Sequence, residues 1–350
     1  MNNFNFSKTC IGSVPHTDTG SIVKEITASF REIPFWPQLP KRSFLENMYA
    51  QCSENIPGIV IDRQAKKIFV DTKHDLFGDI EKVLQKYLDN DLGFFSVGKE
   101  HAEGLYKFLD MKKGLSASPD LKSLKGQITG PVSFGLTVKD NSGKSIMYLK
   151  EFEELIPKFL GMKARWQAKK LKEIDKKVII FIDEPYLTSI GSSYVSINKD
   201  KALESINEVV SLIKQEGAVS GLHCCGNTEW DFLLKSDIDI LSFDAYNYMK
   251  EFLLYAEDIK NFLNQGKSIA WGIVPTNQEG LKKENTESMV NKMIESLDKL
   301  KEKGIDVELL CASSIITPSC GCGTLTVESC EKVFDILDSA SKELKNFCEK

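Results

Sequence analysis

The residue pair His223 and Cys225 places an imidazole and a thiol two positions apart, in Gly221-Leu222-His223-Cys224-Cys225-Gly226-Asn227. The apolar run Gly217 to Leu222 predicts a strand just before them. Side chains alternate across a strand, so His223 and Cys225 face one side and Cys224 the other. One imidazole and one thiolate are half of a zinc site, although a packed histidine and a packed cysteine would satisfy the same spacing. A second thiol stretch, Thr317-Pro318-Ser319-Cys320-Gly321-Cys322-Gly323, brings Cys320, and Asp244 ends the strand predicted after the His-x-Cys strand. One imidazole and two sulfurs suit zinc better than magnesium or calcium, and Asp244 offers a carboxylate as a fourth ligand. These candidates come from distant strands rather than from a close Cys-x-x-Cys pair, which favours a catalytic centre over a structural one. Cys322 is either a spare ligand or a thiol in a tight glycine turn. Asp183 and Glu184 follow another predicted strand, where they either join this chemistry or cap a helix.

The elements that must position these residues alternate between strand and helix. Leu124 to Thr129, Val178 to Ile182, Gly217 to Leu222, Ile238 to Phe243, Ser268 to Val274 and Val307 to Ala312 read as strands. With the short apolar stretch Cys10-Ile11 and the Phe94 region, they approach the eight strands of a barrel. Helices are expected from Asp18 to Phe30, Arg42 to Gln51, Asp75 to Leu88, Lys99 to Met111 and Ile146 to Ile174, the last broken or kinked at Pro157. Further helices are expected at Lys201 to Gln215, Tyr248 to Asn264, Glu284 to Lys303 and Val327 to about Leu344. Gly58 to Asp71 reads as a hairpin inserted on, or covering, the body. Ile33 to Pro40 reads as an ordered, packed loop, because its prolines forbid helix and its aromatics seek a core. Alternating strands and helices imply an α/β fold with a parallel sheet. The expected architecture is a single (β/α)8 TIM barrel spanning residues 1–350. Ser13, Asp183, Glu184, His223, Cys225, Asp244 and Cys320 would then share the C-terminal face of the strands, where barrels carry their chemistry.

The chain has 350 residues, 42% of them hydrophobic and 27% charged, with a formal net charge of −5. That balance argues against nucleic acid as a partner. No apolar run is long enough to span a membrane, and the first residues lack a secretory pattern, so a cytoplasmic location is expected. Nine cysteines without that pattern suggest a reducing compartment. Cys10, Cys52, Cys311, Cys330 and Cys348 are then expected as buried small hydrophobes. Neither a Gly-x-Gly-x-x-Gly fingerprint nor a phosphate-binding loop occurs.

Six segments stand in a familiar order: Ile11-Gly12-Ser13, the Pro34 to Pro40 loop, Gln127-Ile128-Thr129-Gly130-Pro131, Ile182-Asp183-Glu184-Pro185, His223-Cys224-Cys225-Gly226-Asn227 and Thr317-Pro318-Ser319-Cys320-Gly321. Together they resemble the superfamily of uroporphyrinogen decarboxylase and cobalamin-independent methionine synthase, above all the catalytic half of methionine synthase in its stand-alone core form. The resemblance implies a zinc-dependent methyltransferase that converts homocysteine to methionine. It implies His223, Cys225 and Cys320 as zinc ligands, with Asp244 standing where the family has a glutamate ligand. It also implies Ile11, Gly12 and Ser13 at the amino-acid end of the substrate, Asp183 on its amine, and Glu46 as a further substrate contact. Two departures from the folate-dependent enzymes stand out. Their second barrel has no counterpart here, and Gly272-Ile273-Val274-Pro275-Thr276 lacks their proton-donating histidine. The resemblance therefore points to methylcobalamin or a methylated corrinoid protein as donor. A sister enzyme acting on another small thiol or on a corrinoid protein is the alternative. A uroporphyrinogen-decarboxylase-like barrel fits less well, because the arginine-rich N-terminal segment of that enzyme is missing.

Overall fold

The computed structural model of the chain describes residues 3–73, 75–174, 177–190 and 197–349. Its ten strands are β1 (Ser7–Lys8), β2 (Ile59–Asp62), β3 (Lys67–Val70), β4 (Leu124–Thr129), β5 (Lys139–Asp140), β6 (Val178–Asp183), β7 (Val219–Cys224), β8 (Ile240–Phe243), β9 (Ser268–Val274) and β10 (Ser314–Pro318). Seven of them form one sheet in the order β1-β10-β9-β8-β7-β6-β4. Every pairing in that sheet is parallel. Strands β4, β9 and β10 are buried along their whole length, as parallel strands with both faces covered must be. One core cluster, with Phe4, Ile11, Ile33, Ile179, Phe181, Ile240, Ala270 and Ile315, is separate from the large cluster that joins the helices to the sheet.

The expected α/β fold with a parallel sheet is present; among the described residues the ladder has seven strands rather than eight and is a curled sheet, not a closed one. The Phe94 region is not a strand. Asp91, Leu92 and Gly93 instead accept turn hydrogen bonds from Phe94, Phe95 and Ser96 at 3.1–3.2 Å, and the Asp91 side chain accepts from Phe94 N as well. At the gap between the two sheet edges lies the proline-rich segment. Phe35 bridges Lys125 of β4 and Gln38 bridges Ser13, both in parallel sense. The Trp36 N–H donates to Lys125 O, Lys125 N–H to Pro34 O, Gln38 N–H to Gly12 O and Val14 N–H to Gln38 O. Ile33, Phe35, Trp36 and Leu39 are sealed from solvent, so this segment is packed as its composition predicts.

Other boundaries moved for physical reasons. Val307–Ala312 is a helix, and the strand follows at Ser314. The Asp306 side chain caps it by accepting from Leu309 N at 2.9 Å, and Glu308, Leu309, Leu310 and Ala312 are good helix formers. The helix Lys150–Lys172 runs through Pro157 without interruption, preceded by a single 3-10 turn. Strand β7 starts at Val219, because Gly217 turns the chain out of the helix Lys199–Gln215 with φ +61°. The hairpin Ile59–Val70 is present and gains β5 as a third, parallel neighbour, a separate small sheet. Cys311 and Cys348 are not packed free thiols: a disulfide joins them, tying the helix Val307–Ala312 to the end of the helix Val327–Cys348. Inside the helix Lys150–Lys172, Lys163 is fully buried, and its ammonium donates to Ser96 O at 3.0 Å. No helix among the described residues is long and apolar enough to cross a membrane.

Candidate metal centre

Register decides which side chains meet. Thr129 pairs with Asp183, Asp183 with His223, and His223 with Ser242 across four neighbouring strands. In a parallel sheet, partners in register project from the same face, one strand spacing apart. Asp183, His223 and Ser242 therefore stand in a row at the C-terminal rim of the sheet. Cys225 follows β7 directly, and Cys320 follows β10 by two residues.

One ligand atom from each of His223, Cys225 and Cys320 lies within 4.8 Å of the other two. Tetrahedral zinc with bonds of ~2.0–2.3 Å holds its ligand atoms about 3.3–3.8 Å apart, so the three can close on such an ion by a modest adjustment. The imidazole is set for it. Nδ1 lies 3.0 Å from Ser242 Oγ, while Nε2 is buried with no hydrogen-bond partner. A buried, unpartnered ring nitrogen whose opposite nitrogen is held by a hydroxyl is the arrangement a metal ligand requires. The Cys225 thiol lies far below the ordinary thiol range, first because Cys320 donates its S–H to it, and then because of His223 beside it, against the effect of burial. The Cys320 thiol rises for the converse reason. A cation at this place would favour both sulfurs as anions. Cys224 is in the core, its thiol reaching Gly226 O at 3.5 Å, on the opposite side as alternation predicts.

Asp244 is nearby but not in the three-residue cluster. Its carboxylate caps the helix Ala245–Phe252, accepting from Asn247 N at 2.9 Å and from Asn247 Nδ2 at 2.6 Å. Asp183 leaves its Oδ1 buried and unpartnered. Burial pushes its carboxyl up to about 6, against the pull of His223 and Lys125. Lys125 is a fully buried ammonium on β4. It donates to Ile11 O at 2.5 Å and lies 4.5 Å from the centre of the Phe181 ring. Burial pulls it down to about 8, and Asp183 is the chief group that raises it. Glu184 has a structural task. Its carboxylate accepts from Val132 N, Ser133 N and Ser133 Oγ at 2.6–2.9 Å, holding the start of the helix Pro131–Thr137.

The N-terminal candidates flank this row. Ile11 O binds Lys125, and Gly12 O accepts from Gln38 N. A Cβ on Gly12 would stand 2.5 Å from Gln127 Cδ, so only glycine fits. Ser13 O accepts from Cys322 N at 2.9 Å, and its Oγ accepts from Gly323 N at 3.3 Å. Ser13 thereby joins the loop that carries Cys320. Glu46 is sealed beneath the proline-rich loop, with its carboxylate on Arg42 Nε at 2.5 Å and on Leu39 N at 3.1 Å. Cys322 is a buried free thiol outside the three-residue cluster, and the neighbouring Cys330 thiol and burial push it up.

Lys125 and Ser242 were not among the residues expected here. A lone charge inside the strand Leu124 to Thr129 was the available signal for Lys125. Ser242 could be found only from the register of β7 and β8.

No protein-family model matches the chain. No curated protein sequence matches it either. Among solved structures, the chain is similar to a candidate vitamin-B12-independent methionine synthase from Listeria monocytogenes. The TM-score is 0.60 at 13% identity, over 98% of this chain and 97% of that one. At that identity the likeness is one of fold.

Proposed function

We propose that the chain is a zinc-dependent thiol S-methyltransferase, a single barrel domain that forms methionine from homocysteine or acts on a similar small thiol. The observation that carries this reading is the convergence of His223, Cys225 and Cys320, with His223 Nε2 unpartnered and buried. Its fold likeness to a protein named as a methionine synthase supports it. A zinc ion at this place would hold a substrate thiol as its thiolate at neutral pH. His223, Cys225 and Cys320 would be its protein ligands, leaving a further position for the substrate sulfur, as catalytic sites do. Ser242 keeps the His223 ring in the ligating orientation. Asp183, one strand over, would take the substrate ammonium on its free Oδ1, and backbone N–H groups at Gly12 and Ser13 would take the carboxylate. Lys125 supports the charge of Asp183 through space, without touching it. Orientation then supplies much of the acceleration. The sulfur lone pair forms the S–CH3 bond, and the donor leaves with the electron pair of the bond it loses.

The sequence points to methylcobalamin or a methyl-corrinoid protein as donor, whereas the Listeria protein is B12-independent by name. The deciding experiment assays methyl transfer to homocysteine and to thiols lacking an amine, from methylcobalamin and from methyl-folate in parallel, with zinc measured on the same sample. Methionine formation that disappears with the zinc supports the reading. Zinc-loaded protein that methylates no thiol from either donor overturns it.

A further inference from the structure

A second group of metal-ligating side chains lies outside the cluster just described. His16 stands three residues after Ser13, Glu25 is on the helix Thr19–Ser29, and Glu331 is on the helix Val327–Cys348. One ligand atom from each lies within 4.8 Å of the other two. Both His16 ring nitrogens are closed off from solvent and neither has a hydrogen-bond partner. A half-buried imidazole whose two nitrogens are both shielded and idle is rare in folded proteins and asks for a partner. Asp335 lies one helical turn beyond Glu331, on the same face of its helix. Burial, and then the charges of Glu331 and Asp335, hold the Glu25 carboxyl above its ordinary value, and no cation among the described residues offsets them. The two helices already pack together, with the Phe30 and Phe334 rings edge to face at 4.9 Å.

We propose that His16, Glu25 and Glu331 bind a divalent transition-metal cation of the zinc or manganese kind, which clasps the segment after β1 to the two helices. One imidazole and two carboxylates suit these ions, whereas calcium and magnesium prefer oxygen alone. Such a clasp would steady Ser13, three residues upstream, and through it the loop holding Cys320. The inference does not depend on the function proposed above, because its ligands and its readout are separate.

The test strips the full-length protein with a chelator and titrates it with Co2+ alone while following absorbance. Thiolate ligands give sulfur-to-cobalt charge transfer, and a histidine–carboxylate site gives only weak d–d bands. In a Cys225→Ser/Cys320→Ser background about one equivalent of Co2+ is expected to bind without charge transfer. Adding Glu331→Gln is expected to weaken that binding by more than the roughly 10–100-fold lost when a mere outer partner is removed. Glu331 is exposed, so its replacement leaves the fold intact. Should the double cysteine variant not fold, wild-type protein and its Glu331→Gln form give the same readout in the component that lacks charge transfer. Absence of that component, or its persistence unchanged in Glu331→Gln, overturns the proposal.

Discussion

Asp183 and His223 are direct register partners on β6 and β7, so a carboxylate and an imidazole stand one strand apart on the same face. Each keeps one buried polar atom without a partner, Oδ1 on the acid and Nε2 on the imidazole. Both atoms offer a lone pair, so together they fit a ligand that brings a positive group to the acid and a metal cation to the imidazole. An amino-acid thiol on a cation has that form.

Asp183→Asn therefore separates substrate recognition from metal binding. With homocysteine as acceptor, kcat/KM should fall roughly 10–100-fold, the worth of a charged hydrogen bond. Zinc content should be unchanged, and a thiol without an amine should lose far less. An equal loss for both thiols would remove Asp183 from the substrate.

Ser242→Ala tests the orientation of His223. Its hydroxyl lies 3.0 Å from Nδ1, so the alanine should lower zinc affinity by about 10–100-fold, measured by competition with a chromophoric chelator. Circular dichroism should be unaltered. Undiminished affinity would show that His223 is held by packing alone.

Lys163 predicts a pH dependence of stability from a residue outside the candidate site. Burial lowers its folded-state value from 10.5 to about 8, so between those two values the unfolded chain binds the extra proton. Stability from this group is fully present above 10.5 and is lost as pH falls through 8. Wild-type unfolding free energy should gain up to about 3 kcal/mol from it on going from pH 8 to pH 10.5. Lys163→Met should lack that gain in denaturant melts run side by side at several pH values. Parallel profiles for the two proteins would contradict it.

The disulfide predicts a reductant effect. Cys311 and Cys348 are 37 residues apart, a loop whose closure is worth about 2–4 kcal/mol. Dithiothreitol should lower the wild-type melting temperature and leave that of Cys348→Ser unmoved. A wild-type melt indifferent to reductant would mean that the thiols are free.

Much of the framework was legible because its strands are buried on both faces. Val178 to Ile182 and Ser268 to Val274 are continuous apolar runs with few other readings. The pair His223 and Cys225 was legible from alternation alone, and the structure places Cys224 on the other side. Val307 to Ala312 was not, because a six-residue, mostly apolar stretch fits strand and helix equally, and the Asp306 cap decides it. Asp244 read as a ligand because it ends a strand; the same position also starts a helix, where its carboxylate accepts from Asn247. The Cys311–Cys348 bond was hidden because spacing along a chain does not reveal which thiols meet. Lys125 and Ser242 depend on cross-strand neighbours, which local sequence does not carry.

The segment from Pro34 to Gln38 has one more consequence. It contacts both edges of the curled sheet through isolated backbone bridges, with two proline positions that cannot donate at all. A strand placed there would have extended a ladder on each side. An irregular, proline-bearing seam instead masks both margins while offering little unpaired backbone to another chain. The same residues that spoil a regular strand thus leave the margins of the seven-stranded ladder little unpaired backbone to offer another strand.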